Sequence, residues 1–480
     1  MSDPIIIAGG GPVGLMLAFE LGRQGVPSVV LEARPDHYED ERVGTFHSRL
    51  VDVFTERGLM GALGEAPRWP AVHFGMVWLD LTRLPEEYNL LVAQTGVERL
   101  LEERSAALGA DLRRGHRVTG FSQDEAGVTV QVEGPDGAAY ELRGAYLVGA
   151  DGVDSTVRRL AGVEVSRSGK SWYGILGDFA SYDGEFDAGV RPGGVFGALP
   201  ERSERGYWRL QTLEFDQDGP PESEPVTVEE LTGNIERLTG QRKQVGEPIW
   251  MRRYTGTTQL AERYREGRVF LAGEAAHHYV PTASHGLNTG LGDAVNLAWR
   301  LAAAVNGWAP EGLLDGYHEE RHLAGRRACQ GAEAQLALIH PLEKVNALRE
   351  VFTELVTVEE VNRRLVTWAT DVRYPFAGED DDALVGRRLG HLALRGADGE
   401  ISTGAALGHG RGVLFDLTGK EFGEVSGWES RVDVVRAEPT EGLDVPALLV
   451  RPDGYVAWVG DEQDGLTAAL TRWFGAPNAG

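Results

Sequence analysis

Apolar positions in this chain follow three different spacings, and each spacing marks a different part. Ile5-Ile6-Ile7-Ala8 is an unbroken apolar run of the kind carried by a strand buried on both faces, and Leu15, Leu17, Ala18 and Leu21 follow at helical spacing. The intervening Gly9-Gly10-Gly11-Pro12-Val13-Gly14 makes the segment strand, glycine turn, helix. A second strand, Ser28 to Leu31, ends at Glu32, and Leu50, Val53 and Phe54 predict a helix after a turn over Arg42–Arg49. Thr95 and Glu98 stand at capping-box spacing ahead of a helix from Glu98 to Leu108. Strands are predicted at 117–122, 127–132 and 145–148, with a turn at Pro135-Asp136-Gly137. Between Ser166 and about Arg265 the pattern changes to short alternating stretches such as Gly206 to Leu213, which predicts an antiparallel sheet. Arg268–Ala272 returns to a strand, Leu313–Trp368 has helical spacing, and Gly378–Asp382 is an acidic linker. Beyond it, strands at 412–417, 431–435, 447–450 and 455–459 precede a helix running toward Phe474.

The first turn carries chemistry. In G-x-G-x-x-G, Gly9 makes the turn, Gly11 lets backbone approach a pyrophosphate, and Gly14 lets the helix pack on the strand. The phosphates then sit on a helix N-terminus, and Glu32 is placed to accept hydrogen bonds from a ribose diol. FAD and NAD both carry the adenosine diphosphate such a turn holds, so the turn alone does not separate them. Arg42 and Arg49 place two guanidiniums around the next turn, able to reach a phosphate, although Arg49 could equally pair with an acid on its own helix. Gln94 is free to face a cofactor or to remain in a solvated loop.

Composition narrows the classes. A formal charge of −26 repels nucleic-acid phosphates and anionic membrane surfaces, so neither is expected as a partner. With 42% apolar and 25% charged residues, the acidic excess belongs to the surface of a folded protein of about three units. The 64 glycines are in excess of the usual share and point to tight turns and close backbone approach. Cys329 stands alone, which excludes an intrachain disulfide and a cysteine metal cluster; with no basic n-region after Met1 and no membrane-length apolar run, a cytoplasmic location is expected.

Two later segments identify a resemblance. Gly149-Ala150-Asp151-Gly152-Val153-Asp154-Ser155-Thr156-Val157-Arg158 resembles the second fingerprint of the single-component FAD-dependent aromatic hydroxylases related to para-hydroxybenzoate hydroxylase. Gly273-Glu274-Ala275-Ala276-His277, Pro281, Gly286-Leu287-Asn288 and Asp293 through Leu301 resemble the third, so three fingerprints stand in family order over nearly the whole chain. The last unit, at Leu449 to Trp458, is similar to the thioredoxin-like C-terminal domain of the polyketide and rifampicin-type monooxygenases.

The resemblance implies a mixed α/β fold: a Rossmann-like FAD-binding domain of residues 1–165 and 266–377, an inserted antiparallel-sheet substrate domain over 166–265, and a thioredoxin-like domain over 378–480. It further implies FAD contacts at Arg42 and Gln94, a role for Asp151 toward FAD and NADPH, Gly273-Glu274 at the ribityl chain, Pro281 beside the isoalloxazine, and Gly286–Asn288 starting a helix that faces the flavin pyrimidine. A positive helix end there suits the negative charge of reduced flavin. By the same analogy NADPH or NADH reduces FAD transiently, O2 forms a C4a-hydroperoxide, and an electron-rich ring of a small aromatic substrate is oxygenated. Baeyer–Villiger oxidation of a polycyclic ketone and a non-oxygenating flavin-binding scaffold are the alternatives.

Two departures stand out. Glu274 replaces the usual Asp, and Ala283-Ser284-His285-Gly286 replaces Gly-Gly-Gln-Gly, so Ser284 or His285 is a candidate for orienting substrate or donating a proton, or simply packs. His318-Glu319-Glu320-Arg321-His322 matches H-E-x-x-H, but it lies in a family-like helix, and no metal is expected. His277 and His278 are expected to be structural. Trp172, Trp208 and Trp250 could stack on a flat substrate or pack in a core. The cysteine-free C-terminal unit, with Pro452-Asp453-Gly454 as a hairpin turn, reads as structural or as a contact in a homodimer.

Overall fold

A computed structural model describes residues 3–478 apart from 38–42, 70, 201–205, 218, 221–223, 282–284, 379–380, 398, 421 and 439–442. Its first sheet has the strand order Arg265–Glu266, Val269–Leu271, Tyr146–Gly149, Ile5–Ala8, Ser28–Glu32, Asp111–Arg114. All neighbours in it are parallel except the first pair. Ile5, Ile6 and Ile7 are fully buried at its centre, which is why the run carries no polar alternation. Proline at the first position of helix Pro12–Arg23 fits a site where no N–H partner is needed, and the helix packs back on the sheet. Strands Arg117–Gln123, Val128–Glu133 and Ala139–Gly144 form a meander whose last turn is the expected Pro135-Asp136-Gly137, with Gly137 at φ 78°.

The middle segment is antiparallel, as its alternation predicts. The order is Asp187–Arg191, Gly194–Pro200, Trp208–Phe215, Val165–Phe179, Pro248–Ala261, His277–His278, so an edge strand from beyond residue 265 ties the sheet to the first unit. Helix Val228–Thr239 covers one face, with the Thr227 hydroxyl accepting from Glu230 N at 3.1 Å and Gly240 left-handed at its end. In the last unit the order is Val432–Arg436, Gly412–Asp416, Ala447–Val450, Val456–Val459, followed by helix Gln463–Phe474. The first two strands are parallel, yet among the described residues the connection from 417 to 431 contains no helix, although a parallel crossover usually carries one.

Two local expectations are corrected, and the tryptophans take the packing alternative. The turn expected over Arg42–Arg49 is the strand Val43–His47, paired with Asn89–Ala93 and followed directly by helix Ser48–Glu56. The next helix runs Gln94–Ala107, with Ala93 at its N-cap position. Thr95 is therefore inside the first turn and cannot cap, and Glu98 instead accepts from Gln94 Nε2 at 2.8 Å. Trp172 is a core residue against Tyr254 and His278 and has no surface to offer a substrate. Trp208 packs on Tyr182, and Trp250 donates its indole N–H to Asp178 at 2.8 Å.

Buried ions join the units. Arg57 Nε donates to Glu20 at 2.6 Å and Nη1 to Glu56 at 2.7 Å, while Arg388 from the last unit reaches Glu56 at 2.5 Å. Removing the cation would take one of two arginines from each buried carboxylate, leaving Glu20 with Arg23 and Glu56 with Arg388. Arg57→Ala should therefore cost about 2–3 kcal/mol of stability, read from the urea midpoint at unchanged slope. A loss below about 1 kcal/mol would contradict this role.

Candidate active site

The glycine turn opens onto a cleft of about 490 Å³. Gly9 lies at φ 107°, and a Cβ there would stand 2.2 Å from the carbonyl oxygen of Ala150. One on Gly14 would stand 2.0 Å from Gly9 O, so both glycines are demanded by the protein itself. Gly11 differs: a Cβ would meet no protein atom within 4 Å, and its backbone caps helix Pro12–Arg23 with no side-chain cap bond. The free N–H groups at that helix start face open space, the arrangement a diphosphate occupies.

Glu32 lies against this turn, accepting from Gly10 N at 2.7 Å and Arg34 N at 2.8 Å. Each carboxylate oxygen keeps a further lone pair for a ribose hydroxyl. Gln94, Asp151, Glu274, Gly273, Gly286 and Leu287 line the same cleft. Asp151 accepts from Thr156 N at 2.7 Å and Val157 N at 3.1 Å, and the nearby Arg158 donates to Ala275 O at 2.8 Å, joining the second and third fingerprints. The Glu274 side chain is exposed to the cleft, whereas Gly273 is buried. Pro281 is exposed at the segment leading to the next helix, and Arg42, Ala283 and Ser284 lie outside the described residues.

Helix His285–Val305 brings a second N-terminus to the cleft. Asn288 fixes its first turn to strand Val43–His47, accepting from His47 N at 3.0 Å and donating to Thr45 O at 2.7 Å. Gly44 makes this approach possible, since a Cβ there would stand 2.8 Å from Leu287 Cδ2. His285 and Asn288 face a smaller adjoining cavity of about 90 Å³ rather than the large cleft. Burial, with His47 and His73 nearby, pushes the His285 imidazole down to about 3, so it is neutral at ordinary pH and available as a hydrogen-bonding group. Its Nδ1 has no hydrogen-bond partner among the described residues, and its ring stands edge-on to His47 at 5.0 Å.

The positioning groups had no role assigned from the sequence. Asp293, fully buried, accepts from Gly273 N at 2.9 Å and Arg321 Nε at 2.7 Å and is bonded to His277 Nε2 at 2.8 Å. Burial alone would raise this carboxyl; Arg321, His277 and the Gly273 amide outweigh it and hold it ionised. An acid immediately ahead of the mostly apolar stretch Ala294 to Leu301 was the available signal. Arg49 lies 3.8 Å from Glu87 and 4.0 Å from Asp52 beside the smaller cavity, the acid-pairing alternative. His318 and His322 pack edge-on against Tyr264.

Two helix starts, a glycine turn and the Glu32 carboxylate around one cleft suit a dinucleotide-dependent enzyme. Residues 3–332 match the FAD binding domain family and residues 382–477 the C-terminal family of aromatic-ring hydroxylases. The chain is 43% identical to a dialkyldecalin synthase of Streptomyces rugosporus, with 99% of each covered. It is 40% identical to a 12-dehydrotetracycline 5-monooxygenase/anhydrotetracycline 6-monooxygenase of Streptomyces rimosus, over 99% of this chain and 100% of the relative. The solved aromatic hydroxylase CabE from angucycline biosynthesis superimposes with a TM-score of 0.91 at 36% identity, all of both chains being covered. The protein belongs to the FAD-dependent aromatic-ring hydroxylases and is an FAD-dependent monooxygenase.

Two outcomes test the site. Gly11→Val should leave the apo fold intact, since a Cβ there meets no protein atom within 4 Å, and weaken FAD by about ten- to hundredfold. Fluorescence titration beside a melting curve reads both, and unchanged affinity would place the diphosphate elsewhere. The His73 imidazole is also pushed down, to about 4, by burial. Unfolded imidazoles titrate near 6.5, so below that pH the unfolded chain takes up protons that the native chain refuses, and stability falls on acidification toward about 4. Replacing His73 and His285 together by Gln should flatten that decline in urea midpoints between pH 7 and 5. An unaltered decline would show that these imidazoles are not held neutral.

Proposed function

We propose that the protein oxygenates a polycyclic aromatic substrate of polyketide or antibiotic type, with FAD as cofactor, NADPH or NADH as reductant and O2 as oxygen source. The observation that carries this is the convergence of the glycine turn and the His285–Val305 helix start on one cleft, in a chain whose tetracycline-oxidising relative matches it end to end. Gly9, Gly11 and Gly14 shape the diphosphate seat, and Glu32 takes the adenosine ribose. Arg42, Gln94 and Asp151 flank the dinucleotide, Gly273 and Glu274 meet the ribityl chain, Pro281 lies beside the ring, and Gly286, Leu287 and Asn288 present the helix start to the pyrimidine edge. Bound FAD, once reduced, supplies the oxygen-activating chemistry. The residues supply orientation, exclusion of water and a positive helix end that favours the reduced, anionic cofactor. His285 offers a neutral imidazole at the same helix start and is the candidate catalytic group for orienting substrate or passing a proton.

The proposal assigns residues 1–165 and 266–377 to the FAD-binding domain, 166–265 to the substrate domain and 378–480 to the thioredoxin-like domain. Among the described residues no helix is long and apolar enough to cross a membrane, and the proposed setting is cytoplasmic. A second possibility has one specific support: the relative at 43% identity is named a synthase, not an oxygenase. On that reading FAD is structural and the substrate is rearranged without gaining oxygen.

Purified protein loaded with FAD should consume NADPH and O2 faster in the presence of an accepted polycyclic phenol and release a product heavier by one oxygen. Product structure separates ring hydroxylation from Baeyer–Villiger insertion. Substrate conversion with no mass gain and no NADPH consumption would favour the synthase reading, and failure to take up FAD would overturn both.

A further inference from the structure

We propose that the C-terminal unit is part of the flavin site's scaffold: Asp453 and Arg451, through Asn296, set the position of helix His285–Val305, which makes Asp453 and Asn296 positioning residues for the cofactor. This rests on the assignment of the helix start to the flavin.

The geometry is a closed grid. Asn296 Nδ2 donates to Asp453 Oδ2 and to Glu320 Oε2, both at 2.9 Å. Arg451 grips Glu320 through two bonds of 2.8 Å and Asp453 through bonds of 3.0 and 2.6 Å. Arg300, one turn beyond Asn296, donates to Glu320 Oε1 and to Leu313 O, each at 2.6 Å. All five side chains are buried, and the Arg451 guanidinium lies 4.6 Å from the Trp473 ring and 4.9 Å from that of Phe376. The Pro452-Asp453-Gly454 hairpin tip thus does more than reverse the chain.

Burying two acids and two arginines adds little net stability over an apolar interface, because desolvation offsets most of the attraction. Such a grid does fix register: bidentate bonds tolerate little displacement, whereas apolar contacts such as Trp299 on Phe474 can slide. Register matters here because the 90 Å³ cavity lies along His285, Asn288, Gly292 and Asn296, so above the anchor this face of the helix is held by a few polar contacts, Asn288 on strand Val43–His47 and Arg321 on Thr289 O and Asp293, rather than by close packing. Asn296 lines the same cavity, and its buried Oδ1 has no hydrogen-bond partner among the described residues. Asn296 is roughly 16 Å along the axis from His285, close enough for a rigid helix to carry a shift of the anchor to its start.

The test uses the full-length holoprotein, with FAD affinity and the two-electron flavin midpoint potential as readouts. Asp453→Ala and Asn296→Leu should each weaken FAD about tenfold. Each should also reduce the preference for reduced over oxidised flavin about tenfold, which lowers the potential by about 30 mV. Asp453→Asn, which keeps an acceptor, should restore most of both. Leu443→Ala, a buried apolar truncation in the same unit away from the helix, should lower the melting temperature without moving either readout. If Asp453→Ala does not fold, Asn296→Leu and Asp453→Asn carry the comparison. Unchanged affinity and potential in the anchor variants, or equal shifts from Leu443→Ala, would overturn the proposal. A wild-type chain that takes up no FAD would instead overturn the cofactor assignment on which it rests.

Discussion

Two helices, Pro12–Arg23 and His285–Val305, bring their positive N-terminal ends to the same cleft, and most of the surrounding structure serves to hold them there. Like ends of two macrodipoles repel, and the unsatisfied N–H groups of both turns need acceptors. Glu32 supplies one by accepting from Gly10 N, but Gly11 looks onto open space. An anionic dinucleotide answers both demands: its diphosphate fits one helix end, and a flavin that gains negative charge on reduction fits the other. The acidic excess of the chain does not replace it, since surface carboxylates are screened by water and salt.

Holding the ends together falls to a few buried charges. Asp293 joins Gly273, His277 and Arg321 at one level of the second helix, and Asn288 joins its first turn to strand Val43–His47. Lower down, Asn296 and Arg300 meet Glu320 and the hairpin of the last unit. Glycine permits the close contacts between helices: a Cβ on Gly290 would stand 2.8 Å from Val13. Every buried acid in these clusters has an arginine within 3 Å, the condition under which charge survives away from water.

Local pattern carried much of this. The apolar run Ile5–Ala8, the glycine turn and the alternating middle stretch each follow from side-chain period, and the elements formed where those periods placed them. Boundaries that depend on partners were not legible. Strand Val43–His47 exists because Asn89–Ala93 offers it a ladder, and the helix at Gln94 begins where that strand ends. That the glycines of the turn, Glu32 and Glu274 share one cleft could be read because they stand in short motifs. Asp293, Arg321, Asn296 and Asp453 could not, because their partners lie up to 157 residues away and only the fold brings them together. Trp172 shows the limit from the other side: its residue type suits a ligand platform and a core equally, and only its packing, which leaves no face exposed, decides for the core.

The most direct test of the central claim is a crystal structure of the protein with FAD. The account predicts the diphosphate on the backbone N–H groups of Gly11 and Val13, the ribose on Glu32, and the pyrimidine edge of the flavin at the start of the His285–Val305 helix. FAD bound outside this cleft, or with its diphosphate away from Gly11, would contradict it.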